Sequence, residues 1–404
     1  MVEPDTARNG ERLVCRVGPE SDPMGFVVID STINGRALGG LRLQPNVTEE
    51  EVAGLARTMT LKFGFLGLPQ GGAKAGVSGD PEAPREERWA LLRRFGRAIA
   101  PLLRSRVFTP STDMGTENED IRHMVASVGA PIKRREVRGE NSAYYTALSV
   151  FEGAKRAACF LDGSLSGKTV AIEGFGKVGS SLAELLAGEG ARIVAVSTSR
   201  GAIHNPEGMD ASRLKALVAS DKSRVVDLYG DAERIELPVL FELPVDILCP
   251  CARSNSIHAE NAPRVRARVI CPSANNPVTP EAERILFDKG ALSLPEFVTN
   301  SGGVLGGTME FASISKSMIA RFIAERVGAR MAHILDEAGR RKVQTREVAV
   351  SLAMQRRKEV QQRVEHPRPA GRVFSFALDL YRRGWIPGSL VAPRALRHFE
   401  KSLA

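Results

Sequence analysis

The period of the apolar positions changes several times along the chain, and each change marks a different element. GFVVID at 25–30 is a short β-branched, apolar run that predicts a buried strand. Thr48, followed three residues on by Glu51, is a helix-start pattern in which a hydroxyl and an acid satisfy the first free N–H groups. Val52, Leu55, Ala56, Met59 and Phe63 then recur at helical spacing, with Lys62 near the helix end. GLPQGGAKAG reads as a glycine-rich loop carrying Lys74, residues 86–104 as a second amphipathic helix, and TPSTDMGTE at 109–117 as a loop.

From residue 147 helix and strand alternate. A helix over 147–161 and a turn over 164–168 precede the strand TVAIE at 169–173; GFGKVG, a helix over 180–191 and the strand RIVAVS at 192–197 follow. Apolar runs at 246–250, 268–271 and 291–294 are further strand candidates. Such a series implies an α/β fold with a doubly wound parallel sheet. Beyond about residue 308 the pattern is helical until Pro367. Pro367, Pro369, Pro387 and Pro393 then break the chain into what reads as an appended tail, expected to pack on a neighbour.

At roughly 150 residues per domain, 404 residues correspond to two large domains. A chain that is 43% hydrophobic and 25% charged buries sizeable cores and is not globally disordered. No apolar run approaches the ~18 residues of a membrane helix, and the first residues lack the layout of a secretory signal. Five cysteines exclude a disulfide scaffold and suit a reducing cytoplasm. The formal charge of +9 lies wholly in residues 340–404, which carry +10 against −1 for the rest. A basic face at one end, without nucleic-acid-binding spacing, makes a nucleic-acid partner unlikely.

Gly174, Gly176 and Gly179 form G-x-G-x-x-G between a strand and a helix, the arrangement that brings a helix N-terminus and bare backbone up to a pyrophosphate. The end of the next strand reads Ser197-Thr198-Ser199-Arg200, without the acid that usually holds a ribose 2′-hydroxyl. Thr198 and Arg200 suit a 2′-phosphate, which tilts the expected cofactor from NAD toward NADP. Lys74 among small residues could be desolvated and its pKa lowered, Lys62 suits an α-carboxylate, and Asp113 could exchange protons with an amine. With a nicotinamide, these are the groups for hydride transfer at an amino-acid α-carbon. Cys249 and Cys251 flank one residue, the wrong spacing for zinc, and no metal is expected.

The chain resembles the Glu/Leu/Phe/Val dehydrogenase family in ALGGLRL (37–43), MTLK (59–62), LPQGGAKAG (68–76), TDMGT (112–116), GFGKVG (174–179), SANNPVTPEA (273–282) and NSGGV (300–304). The resemblance implies NAD(P)-dependent, reversible oxidative deamination of an L-amino acid to a 2-oxo acid and ammonium. It implies that Lys62 holds the α-carboxylate, Lys74 polarises the carbonyl and activates water, and Asp113 shuttles protons with the amine. Gly39 and Gly40 would line the substrate pocket, and Thr146 would contact the nicotinamide amide. Phe175, Lys177 and Val178, with the three glycines, would form the cofactor loop. Asn275 and Asn276 would lie near the nicotinamide ribose, with Asn300 before the final glycine pair. The implied domains are a substrate-binding and oligomerisation domain over 1–143, a Rossmann dinucleotide domain over 144–307, helices over 308–365 returning to the first domain, and a basic tail over 366–404. A homo-oligomer with a cleft between the two domains is implied as well.

Glutamate-specific members resemble K-G-G where this chain has Leu38, and their serine falls by count at Gly307. Burying a second carboxylate beside Leu38 without a partner would cost on the order of several kcal/mol. ALGG instead resembles the leucine, phenylalanine and valine branch, and Gly306 and Gly307 are expected to leave room for a branched or aromatic side chain. The alternatives are a non-catalytic regulatory or scaffold paralogue, suggested by the basic end, and an imine-reducing enzyme of the same fold.

Overall fold

The structure, a computed structural model, describes residues 12–19, 21–130, 141–161, 163–366, 380–381 and 384–403. It divides into two compact units, residues 1–138 with 352–391 and residues 139–351 with 392–404.

The first unit is built on a sheet of order β1-β2-β4-β3-β5. Its strands are β1 (Leu13–Val17), β2 (Gly25–Ile29), β3 (Ala37–Gln44), β4 (Gly71–Ser78) and β5 (Phe108–Thr112). β3 runs parallel to both β4 and β5, whereas β1 and β2 add antiparallel. Helix α1 (Glu49–Leu66) starts as its sequence predicts, with the Thr48 hydroxyl accepting from the Glu51 N–H at 3.2 Å. On one sheet face Val52 and Ala56 of α1 pack with Phe26 and Val28. The other face buries Leu41, Val77, Leu92, Phe95 and Phe108 in the larger core.

The expected glycine-rich loop around Lys74 is instead strand β4. Its glycines serve close packing. A Cβ on Gly72 would stand 2.1 Å from the Thr60 nitrogen of α1, and one on Gly76 2.3 Å from Val47. The expected loop at 109–117 likewise begins as β5, and the helix expected over 86–104 is two, Arg85–Ala98 and Ala100–Arg104, broken at Ile99.

The second unit carries a sheet of order β12-β11-β10-β6-β7-β8-β9. It comprises β6 (Thr169–Glu173), β7 (Arg192–Thr198), β8 (Gly201–Met209), β9 (Glu233–Ile235), β10 (Ile247–Pro250), β11 (Val269–Ile270) and β12 (Leu292–Ser293). From β12 to β7 the sheet is parallel, as an α/β reading requires. β8 and β9 extend it as an antiparallel edge that the sequence pattern did not reveal.

Residues 308–351 belong to this second unit, not to the first as expected. The Gly302–Phe311 helix lies so close to the Ser142–Ala158 helix that a Cβ on Gly306 would fall 2.1 Å from the Tyr145 ring. The chain passes to the first unit at Leu352, inside the Thr345–Glu365 helix. Residues 367–379 of the expected tail lie outside the described residues. The Gly388–Leu403 helix packs Phe399 edge-on against Phe322, ring centroids 6.5 Å apart, so this part of the tail docks on its own chain. Among the described residues no helix is long and apolar enough to cross a membrane, and the five cysteines are free thiols.

Candidate active site

Lys74 and Asp113, about forty positions apart, meet in the first unit. Lys74 Nζ lies 2.9 Å from Asp113 Oδ2, and both side chains are nearly removed from solvent. Asp113 directly follows β5, and its backbone is fixed by the TDMGT turn. Its N–H donates to Thr116 Oγ1 at 3.0 Å, and that hydroxyl donates to the Leu41 carbonyl at 2.8 Å. Gly115 supplies the left-handed φ of 76° that the turn requires. Gly40 leaves room for the pair, since a Cβ there would stand 2.8 Å from Asp113 Cβ and 3.1 Å from Lys74 Nζ. Gly39 is packed harder still, its position lying 1.6 Å from the Ala73 carbonyl oxygen once a Cβ is added. Leu38 shares the face of β3 that carries Gly40 and Arg42, by strand alternation. Lys62 is 5% exposed on α1, which packs on β4.

Arg42 completes this cluster and was not singled out by the sequence motifs. Its Nε donates to Asp113 Oδ2 at 3.0 Å and its Nη1 to Glu51 Oε1 at 2.5 Å. The available signal was its place inside ALGGLRL, where a guanidinium among small and apolar strand residues needs acidic partners. Burial pushes the Asp113 carboxyl up, but the charges and hydrogen bonds of Lys74 and Arg42 outweigh it and leave the pKa below the ordinary value.

The second unit holds the glycine turn. Gly174 adopts φ 92° against Ala252, and a Cβ on Gly179 would press on the Gly174 carbonyl at 2.4 Å. A Cβ on Gly176 would meet nothing within 4 Å, so the space over the start of the Lys177–Gly188 helix is open to a pyrophosphate. Lys177 is exposed there and Val178 half-buried. Phe175, expected among the cofactor contacts, is 2% exposed with its N–H bonded to the Ser197 carbonyl at 2.6 Å, so it packs inward. Thr198 donates its hydroxyl to the Ser223 carbonyl at 2.8 Å. Arg200 pairs with Asp227, which Arg234 also holds at 2.5 Å; sequence reasoning missed Asp227 and Arg234.

Elsewhere in the second unit, Asn300 Nδ2 donates to the carbonyls of Ser273 (3.0 Å) and Ala274 (3.3 Å) and to Asn275 Oδ1 at 3.1 Å. Its Oδ1 is buried without a partner, as is Ser301 Oγ. An orphaned acceptor held this way fits a carboxamide N–H, so these residues suit a nicotinamide dinucleotide. Asn276 holds a left-handed φ of 49° beside it. Thr146 donates to the Ser142 carbonyl at 2.8 Å and crowds Gly303, 2.3 Å from where its Cβ would be. The room expected at Gly306 is filled by the Tyr145 ring, so that glycine serves helix packing. Gly307 is buried in the same helix.

Residues 139–363 match the model of Glutamate/Leucine/Phenylalanine/Valine dehydrogenase, and residues 20–129 match that of the Glu/Leu/Phe/Val dehydrogenase dimerisation domain. Curated relatives include the glutamate dehydrogenase of Thermotoga maritima, 37% identical over 69% of this chain and 70% of that protein. The NADP(+)-dependent glutamate dehydrogenase of Pyrobaculum calidifontis is 35% identical over 71% and 72%. The NAD-specific enzyme of Staphylococcus aureus is 33% identical over 80% and 82%. Among solved structures, the hetero-hexameric glutamate dehydrogenase of Thermus thermophilus in its leucine-bound form superposes with a TM-score of 0.72 at 26% identity, covering 87% of this chain and 88% of that one. The L-tryptophan dehydrogenase of Nostoc punctiforme gives 0.60 at 25%, covering 87% and 97%.

These relatives correct one expectation. The likeness of ALGG had placed the chain nearer the leucine, phenylalanine and valine branch, yet the curated relatives are named glutamate dehydrogenases. One residue of a pocket motif does not outweigh similarity over two thirds of the chain.

Proposed function

This chain belongs to the Glu/Leu/Phe/Val dehydrogenase family and is an NAD(P)-dependent amino-acid dehydrogenase, and on that premise we propose that its substrate is an L-amino acid with an apolar, branched or aromatic side chain. The observation that carries the proposal is the allotment of charge around Leu38. Arg42 of β3 and Lys74 of β4 are both engaged by Asp113, and Leu38 adds no further cation to the Arg42 face of β3. A second carboxylate there would be buried unpaired, at a cost on the order of several kcal/mol.

In this reading Lys62 holds the α-carboxylate and fixes the α-carbon. Asp113 takes a proton from the substrate ammonium, and Lys74 then polarises the developing carbonyl and steers water to the imine carbon. The bound nicotinamide supplies a hydride acceptor in deamination and a donor in the reverse direction. Gly174, Gly176, Lys177 and Gly179 would seat its pyrophosphate, and Asn300 its carboxamide. Relatives of both cofactor classes are known, so NAD and NADP both come into question. The dimerisation-domain match supports an oligomer built through the first unit, which the family resemblance casts as a homo-oligomer.

A second reading, glutamate as substrate, is favoured by the names of the relatives. Reduced-nicotinamide absorbance with each of the twenty amino acids, under NAD and NADP in parallel, decides between them. Turnover concentrated on branched or aromatic substrates supports the proposal; turnover confined to glutamate overturns it and leaves the family assignment intact. Light scattering on the same sample tests the homo-oligomer, which a monomer would refute.

A further inference from the structure

Arg42 is 3% exposed within β3, and its guanidinium joins two acids from different parts of the first unit. Asp113 Oδ2 consequently faces two cations, Lys74 Nζ at 2.9 Å and Arg42 Nε at 3.0 Å. Both cations meet the same oxygen, and Asp113 Oδ1 carries no hydrogen bond within the described residues. The charged groups around Asp113 are Lys74 from β4 and Arg42 from β3, with Glu51 of α1 holding the far end of Arg42. β2 presents Val28 beside Lys74, and Lys62 is carried on α1.

We propose that Arg42 is a positioning residue that keeps Asp113 ionised and aimed whatever the charge on Lys74. The inference rests on the reading of Asp113 as the acceptor of the substrate proton and of Lys74 as the group that polarises the carbonyl beside it. A lysine engaged in acid–base work alternates between ammonium and amine. In a buried pair, each neutral interval would strip the carboxylate of its counter-charge and draw a proton onto it. A guanidinium does not titrate in this range, so Arg42 supplies the charge that Lys74 only lends. The step it protects is a simple transfer. A substrate N–H bond breaks, its electron pair stays on nitrogen, and an O–H bond forms at Asp113 Oδ1. The depressed pKa of Asp113, pushed up by burial but brought down further by both cations, agrees with this division of labour.

The rival account is that Arg42 merely clamps β3 to α1 and to the turn after β5. The pH profile of kcat/KM for deamination separates the two. Arg42→Gln is expected to move the acid limb upward by about 1–3 pH units, the change associated with losing one close cation, while KM for the amino acid at high pH stays near wild type. Arg42→Lys is expected to recover part of that shift, and Glu51→Gln, which frees the guanidinium for Asp113, to move the limb below its wild-type position. A uniform fall in kcat with the limb unmoved, or Arg42→Lys as damaged as Arg42→Gln, overturns the inference in favour of the clamp. Should Arg42→Gln fail to fold, the Glu51→Gln profile still decides, an unmoved or raised limb there overturning the proposal. An active wild type with an unmoved limb defeats this inference alone. A wild type inactive with every amino acid defeats the underlying reading and this inference with it.

Discussion

Asp113 in the first unit and Glu173 in the second are both carboxylates withdrawn from water at strand ends, and the protein holds them by opposite means. Asp113 faces Lys74 and Arg42, and its pKa is lowered. Glu173 accepts from the Ala252 N–H at 3.2 Å and from Ser256 Oγ at 3.4 Å, and burial wins, leaving its pKa raised although Arg253 and these donors pull the other way. Dipoles with the charge of Arg253 do not repay the lost hydration of Glu173, whereas two cations hydrogen-bonded to Asp113 do repay its own. Glu173 ties the strand before the glycine turn to the loop after β10, and Asp113 is the acid proposed above for proton exchange.

The largest expected effect falls on the charged pair. Lys74→Ala should lower kcat by roughly 10²–10⁴-fold, the range for removing a positioned acid–base group, while a fluorescence titration still detects cofactor binding. Near-normal turnover would remove the contrast between the two regions altogether. Next comes the packing around each site. Gly39→Ala forces a Cβ to 1.6 Å of a carbonyl oxygen and should destabilise the first unit by about 1–3 kcal/mol or more in urea titrations. Gly176→Ala meets no neighbour within 4 Å and should leave stability near wild type while weakening cofactor binding.

The acids themselves give a smaller and oppositely signed pair. Because folding lowers the Asp113 pKa, its contribution to stability is present above the unfolded carboxylate range and is lost as pH falls through the folded value. Asp113→Asn should therefore lower the unfolding midpoint at neutral pH, with the difference fading in acid. Because folding raises the Glu173 pKa, its ionised form is a penalty at neutral pH that disappears below about pH 4, the unfolded range. Glu173→Gln should raise the neutral midpoint by a few degrees and do nothing in acid. Calorimetry across pH that finds the same sign for both substitutions would break the comparison.

The mildest effect is expected at the exposed cluster after β7. Arg200→Ala should weaken NADP by about tenfold, one charge-assisted contact, and leave NAD almost unchanged. Equal loss of both cofactors by isothermal titration would mean that Arg200 serves only its pairing with Asp227.

Much of this was visible in the sequence where local pattern and burial agree. TVAIE is strand β6 end to end, and Thr48 with Glu51 does start α1. The pattern failed where glycine has two meanings. GGAKAG looks like a loop because glycine permits turns, but here each missing side chain admits a neighbouring segment of the chain, which only tertiary contact discloses. The same ambiguity hid the Tyr145 ring behind Gly306. Lys74 and Asp113 were found because motif residues stood out one at a time. Arg42, Asp227 and Arg234 were not, because a partner distant in sequence gives a charged residue its role.

The interlocking of Gly39 with Ala73 and of Gly72 with Thr60 also bears on how such an enzyme can diversify. A side chain added at position 39 or 72 would strike backbone of the sheet or of α1, and one at position 40 or 76 the side chains of Asp113 or Val47. Leu38, half-buried at the start of the same strand face, is under no such constraint. On the proposed reading, a change of residue there would reshape the pocket and leave the packing around Lys74 and Asp113 intact.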